Sequence, residues 1–172
     1  MKTNNHRVLI IDDERPVLMT LEALLTRHGY HVETAPTAAQ GLKLIRSKPP
    51  TLVLLDLQLP DADGLETLDL IKTEVPQIQV IILTAHDSLH NAIESIKRGA
   101  YHFISKPYAA EELLSLVEKA LEKQFLLREA KELRQKTEQL ERRLEMAEAR
   151  PTLIFKSKPM HEIEELINAM AP

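Results

Sequence analysis

Thr51-Leu52-Val53-Leu54-Leu55-Asp56-Leu57-Gln58-Leu59-Pro60-Asp61-Ala62-Asp63-Gly64 is an apolar run that ends on a carboxylate and then turns. Apolar residues without polar alternation predict a strand over Thr51–Leu55 buried on both faces, as strands are in parallel sheets. A charge at the end of such a strand is costly unless something there uses it. Asp63, with Glu66 three residues on, has the pattern of a helix cap, so the turn should lead into a helix that runs to Glu74 before Pro76. Toward the N-terminus, Val8-Leu9-Ile10-Ile11 repeats the motif and ends on Asp12 and Asp13. If the two strands lie side by side, three carboxylates meet at one sheet edge and demand a cation.

The intervening segments complete an alternation. The first strand is Arg7–Ile11. Pro16 suits the first turn of a helix carrying Leu18, Leu21, Leu25 and His28 at helical spacing, with Gly29 as its stop. A short strand follows at His31–Ala35. Thr37 and Gln40 form a capping-box pattern for a helix to about Ser47, ended by Pro49-Pro50. Gln79–Thr84 reads as the fourth strand, Asp87 or Ser88 as the start of a helix ending at Gly99, and His102–Ser105 as the fifth strand. Five strands alternating with helices indicate an α/β domain with a doubly wound parallel sheet.

Composition narrows the function classes. The chain has 172 residues, enough for one domain with a sizeable core plus an appendage. It has no cysteine, which excludes disulfides and thiolate metal sites and fits a reducing cytoplasm. No apolar stretch is long enough to span a membrane, and the start Met1–Arg7 has no apolar signal region behind it. The 22 basic and 26 acidic residues are spread evenly, so no basic patch favours direct nucleic-acid binding.

In doubly wound sheets functional groups gather at the carboxyl ends of the strands. Those ends present Asp12 and Asp13, Asp56, Thr84 and Lys106. Three clustered carboxylates supply the hard oxygen ligands that Mg²⁺ prefers. Asp56 can serve as ligand and as nucleophile for a phosphoryl group. Lys106 offers a compact cation, and Thr84 a hydroxyl, to the phosphoryl oxygens.

The runs Val8-Leu9-Ile10-Ile11-Asp12-Asp13-Glu14, Leu54 to Gly64, Leu83-Thr84-Ala85 and Lys106-Pro107 stand in the order and spacing of two-component response-regulator receiver domains, which residues 6–122 resemble. The resemblance implies a flavodoxin-like sheet of strand order 2-1-3-4-5 and a histidine kinase as phosphoryl donor to Asp56. It also implies that Asp13 and Asp56 bind Mg²⁺ directly, that Asp12 holds a metal-bound water, and that Gln58 adds its backbone carbonyl. A switch pair is implied as well, Thr84 and the aromatic three residues before the lysine. That aromatic is Phe103, where many relatives have tyrosine, so coupling through a phenol hydrogen bond is excluded and coupling through ring packing is not. Tyr101 and Tyr108 flank it.

Plainer readings fit other residues. Asp63 serves as a helix cap and turn former. Gly99-Ala100 reads as a helix stop with close packing. His86 and His90 have metal-ligand spacing, but no third ligand is evident and His86 precedes the helix cap. Asp61-Ala62-Asp63-Gly64 resembles part of a calcium loop, yet the first and twelfth loop positions would fall on Leu59 and Leu70, which cannot coordinate.

Between Pro107 and Pro151 there is no glycine or proline, and Glu, Lys, Arg, Leu, Ala and Gln dominate, which predicts one long helix. Its first part, with Leu113, Leu114, Val117 and Leu121, is expected against the sheet. A heptad then places Leu126, Leu133, Leu140 and Ala147 at one core position and Ala130, Thr137 and Leu144 at the other. Glu132 with Lys136 and Glu138 with Arg142 are favourably spaced pairs. A homodimeric coiled coil through this helix is therefore expected. Straight, residues 108–150 would extend roughly 65 Å at about 1.5 Å per residue. In the last segment, Ser157, Pro159-Met160, Ile163, Ile167 and Ala171-Pro172 are similar to the opening of the AAA+ ATPase module in sigma-54-dependent activators of the NtrC type. The chain reaches Pro172 without a G-x-x-x-x-G-K-[ST] loop, so no ATPase activity is expected of it.

The division expected is a receiver over 1–124, a coiled-coil linker helix over 125–150, and a linker with the first AAA+ helix over 151–172. The downstream AAA+ and DNA-binding domains are not in the chain, and the function expected is a phosphorylation-controlled switch. The competing class is a Mg²⁺-dependent phosphatase with an aspartyl-phosphate intermediate, of the haloacid dehalogenase type. That chemistry wants a D-x-D pair ending the first strand and a cap domain. This strand ends Asp12-Asp13-Glu14-Arg15, and the short loops leave no room for a cap.

Overall fold

The computed structural model describes residues 6–85 and 89–148. Ten elements alternate in order: β1 (Arg7–Ile11), α1 (Arg15–Arg27), β2 (His31–Ala35), α2 (Ala38–Ser47), β3 (Leu52–Asp56), α3 (Gly64–Glu74), β4 (Gln79–Ala85), α4 (Leu89–Lys97), β5 (His102–Lys106) and α5 (Ala110–Glu148). The strands form one parallel sheet of order β2-β1-β3-β4-β5. The expected strand order and doubly wound class are both present. The start of α4, expected at Asp87 or Ser88, and the segment 151–172 lie outside the described residues.

Every residue of β3 is buried, and β1 is buried after Arg7, so these two strands form the centre of the core. Their side chains alternate between two apolar layers. Val8, Ile10, Leu52, Leu54, Ile81, Leu83 and Ile104 pack with Leu18, Leu21 and Leu25 of α1 and Leu113, Val117 and Leu121 of α5. Leu9, Ile11, Val53, Leu55, Val80 and Ile82 pack with Leu42 and Ile45 of α2 and Leu68 and Ile71 of α3. Each such Leu or Ile contributes on the order of 1.5–3 kcal/mol by leaving water.

Local signals set the helix ends. Thr37 Oγ accepts the Gln40 amide at 3.2 Å, and Asp63 Oδ1 accepts the amides of Leu65 at 2.6 Å and Glu66 at 3.4 Å. Gly29 and Gly99 follow α1 and α4 with φ of 85° and 94°, a left-handed conformation that glycine adopts without strain. Gly64 has a different reason to be glycine. A Cβ there would lie 2.3 Å from Leu57 Cα, so the start of α3 can approach the end of β3 only without a side chain.

Three strand boundaries move by one residue. β3 runs Leu52–Asp56 because the Asp56 backbone still pairs in register with Leu83, while β4 and β5 extend to Ala85 and Lys106. The candidate site residues Asp56 and Lys106 therefore belong to the strands themselves. The chain divides into two compact units, one ending at Ala130 and one beginning at Lys131, and α5 contributes residues to both. In the first, Leu113, Val117 and Leu121 of α5 are buried as expected, Leu114 is partly buried against the same layer, and Ala120 is buried as well. Gln124 Oε1 accepts the buried Gln79 amide at 3.0 Å, which fastens α5 to the start of β4. On the helix beyond Arg128, neither Glu132–Lys136 nor Glu138–Arg142 forms the expected ion pair. For exposed pairs the entropy of ordering two long side chains offsets most of the Coulomb gain.

Candidate functional site

The parallel register of β1, β3, β4 and β5 carries their C-terminal ends to one sheet edge. Ile11 is level with Leu55, and Asp56 with Leu83, so Asp12 emerges beside Asp56. Carboxylate oxygens of Asp12, Asp13 and Asp56 all lie within 4.8 Å of one another. Asp12 is fully buried and Asp56 is 5% exposed, whereas Asp13 is open to solvent.

Lys106, at the end of β5, reaches across to this cluster. Its Nζ donates to Asp12 Oδ2 and Asp56 Oδ2, each at 2.8 Å, and to Glu14 Oε1 at 3.2 Å. Backbone amides hold the other carboxylate oxygens: Glu14 N donates to Asp12 Oδ1 at 2.9 Å and Gln58 N to Asp56 Oδ1 at 3.1 Å. Both are turns in which an aspartate accepts the amide two residues on, which fixes each carboxylate at its strand end. Burial raises the Asp12 carboxyl pKa, and the Lys106 and Glu14 hydrogen bonds only partly offset it. Burial also opposes the charge of Lys106, but hydrogen bonds to Asp12 and Asp56 outweigh it and raise the lysine's pKa.

Thr84 and Phe103 sit differently. Thr84 is 2% exposed near the end of β4, with Ser105 as its strand partner. Phe103 is partly buried against the layer of α2 and α3. Tyr101 and Tyr108 pack against the opposite layer, so neither takes the place of a tyrosine at Phe103.

The structure thus brings together Asp12, Asp13, Asp56 and Lys106. Two residues that the sequence reading did not assign also belong to this edge. Glu14 was part of the recognised motif but had no role, and it pairs with Lys106 across 92 positions of chain. Asp61, in the loop after β3, accepts the amides of Ala38 and Ala39 at 2.9 and 3.0 Å and so caps α2 from outside that helix. Its place after Pro60 in a turn was the available signal. These amides hold the Asp61 carboxyl pKa below the usual range.

The chemistry of this donor set fits a hard divalent cation. Three carboxylates, two of them taken out of water, face a single ammonium, and oxygen ligands at one open edge are what Mg²⁺ selects.

Residues 8–118 match the family model of the response regulator receiver domain. The chain belongs to this family. It is a receiver domain of the two-component type, with transcription regulators of the NtrX and NtrC kind among its relatives. The receiver is 41% identical over 135 residues to the nitrogen assimilation regulatory protein NtrX of Azorhizobium caulinodans, covering 77% of this chain and 30% of that protein. It also resembles the crystal structure of Brucella abortus NtrX in complex with ADP, with a TM-score of 0.72 and 36% identity over 75% of this chain and 30% of that one. A CheY-like receiver domain from Methanospirillum hungatei is 35% identical with a TM-score of 0.68, covering 70% of this chain and 97% of the other. The chain therefore spans about 30% of the length of the NtrX relatives it matches. No described helix of the receiver is long and apolar enough to cross a membrane.

Proposed function

We propose that this receiver accepts a phosphoryl group on Asp56 from a histidine kinase, with Mg²⁺ bound at the carboxylate cluster, and acts as a switch for an attached sigma-54 activator module. The observation that carries this reading is the position of Lys106. Its ammonium joins Asp12 to Asp56 at 2.8 Å each, at the open edge where Asp13 faces solvent. A strand-end carboxylate flanked by a lysine and two further acids has the parts that phosphoryl transfer needs, a positioned nucleophile and cations for the developing charge.

Asp13, Asp56 and the Gln58 backbone carbonyl would hold the metal directly, and Asp12 through water. When bound, the ion neutralises the acidic edge and the charge that develops on the phosphoryl oxygens. The chain's own residues do the rest. An Asp56 carboxylate oxygen attacks phosphorus, the bond to the leaving group breaks, and Lys106 and the Thr84 hydroxyl receive the phosphoryl oxygens. The added charge, about 1.5–2 units, would favour one arrangement of Thr84, Phe103 and the neighbouring elements over another. The reaction expected is self-phosphorylation and its reversal by hydrolysis, rather than turnover of a separate substrate.

The proposed organisation is a receiver over 1–124, a coiled-coil linker helix over 125–150 that forms a homodimer, and a linker with the opening helix of an AAA+ module over 151–172. Leu126, Leu133, Leu140 and Leu144, each between 55% and 63% exposed, support pairing with a second copy. A cytoplasmic location goes with this reading.

The test is incubation with acetyl phosphate and Mg²⁺ followed by intact-mass measurement. One labile phosphoryl group, absent from Asp56→Asn and from chelated samples, is the expected result. Multiple turnover of phosphate esters would instead identify a phosphatase.

A further inference from the structure

Lys106 has three N–H donors, and three carboxylates occupy them. The three partners are not equivalent. The Asp12 and Asp56 side chains are 0% and 7% exposed, while that of Glu14 is 58% exposed and makes the longest contact, at 3.2 Å. A phosphoryl group on Asp56 would bring new oxygens that call for an ammonium donor. Asp12 gives up its bond only by leaving a fully buried carboxylate short of a partner, which is expensive. Glu14 can turn into water, where solvation replaces what it loses.

Nothing else accounts for where the Glu14 side chain lies. Its backbone forms the N-cap of α1, but its carboxylate makes no cap hydrogen bond to that helix. Nor does it join the metal-type cluster, which among the described residues consists of Asp12, Asp13 and Asp56. Its bond is to Lys106 alone.

We propose that Glu14 is a positioning residue that holds Lys106 in the resting state and competes with the phosphoryl group for the ammonium's third donor. The proposal rests on Asp56 being the phosphoryl acceptor. Glu14 lowers the occupancy of the phosphorylated state, both by holding the lysine and by placing a like charge beside the incoming oxygens.

The experiment uses the full chain with acetyl phosphate at saturating Mg²⁺, so that changes in metal affinity do not enter. An Asp56 oxygen bonds to phosphorus as the bond to acetate breaks and acetate leaves, and intact mass reads the ratio of phosphorylated to free protein. Glu14→Gln removes the charge. Glu14→Ser removes it too and supplies a hydroxyl suited to capping α1, which keeps the helix start intact. Both variants should raise the steady-state ratio about two- to fivefold, the scale of one half-exposed ion pair. Glu14→Asp, which retains the carboxylate, should lie nearer the unmodified protein. Beryllofluoride, a phosphoryl mimic that is not transferred, should bind both variants more tightly by the same factor, read by calorimetry. An unchanged or lower ratio in Gln and Ser variants overturns the proposal, as does a rise in only one of them. Failure of the unmodified chain to label at all overturns the acceptor reading, and this proposal with it.

Discussion

Asp12 and Asp61 are both loop aspartates at the same sheet edge, yet the fold acts on them in opposite directions. Burial raises the Asp12 pKa, so the ionised form costs stability as pH rises through the window between its unfolded and folded values. Asp12→Asn should therefore raise the melting temperature in chelated buffer at neutral pH, and the gain should shrink in acid. Thermal melts across that pH range check it, and an equal gain at all pH values would count against it. The Asp61 pKa is lowered by two backbone amides, so its contribution is present above the unfolded carboxyl pKa and lost as pH falls through the folded one. Asp61→Ala should lower the melting temperature at neutral pH, with the deficit closing in acid. Asp12, Asp13, Asp56 and Lys106 were legible in the sequence because polar residues stand out at the ends of apolar runs. Glu14 and Asp61 were not, because their partners lie 92 and 22 or 23 positions away and no local pattern specifies that reach.

The elements were legible wherever their signal was local. Apolar runs marked β1, β3 and β4, and Thr37 and Asp63 marked the starts of α2 and α3. The shifts of one residue at β3, β4 and β5 reflect ladder hydrogen bonds that continue past the last apolar side chain. Gly64 was read as the end of the receiver-like run and as part of a rejected calcium loop, with no packing role, since nothing local announces that Leu57 lies against it. Gly64→Ala should cost about 1–3 kcal/mol as the backbone shifts to admit a methyl group, measured by urea denaturation. The Gln79–Gln124 bond carries a second test. Both residues are about 95% buried, at 5% and 4% exposure, so Gln124→Ala removes one of the two acceptors of the Gln79 side-chain amide and leaves it the Gln77 carbonyl at 3.0 Å. The expected loss is about 1–3 kcal/mol. Gln124→Leu, which fills the space without a partner, should not recover it.

For the whole molecule, the sequence offers an apolar heptad seam along α5, from which a homodimer was expected. Leu133→Lys with Leu140→Lys should convert the dimer proposed above to a monomer in sedimentation while leaving Asp56 labelling intact. The two apolar layers have a consequence of their own. Asp12, Asp56 and Lys106 continue the side of the sheet that α1 and α5 cover, and Phe103 lies on the side of α2 and α3, with Thr84 following the same alternation. In the switch proposed above, a phosphoryl group on Asp56 would therefore meet the sheet at a single rim, from which Lys106 continues along the chain toward α5 while Thr84 faces the layer that holds Phe103. Phe103→Ala should then leave Asp56 labelling by acetyl phosphate unchanged and weaken only the response that depends on packing of this ring, so that the same modification is written normally and read differently.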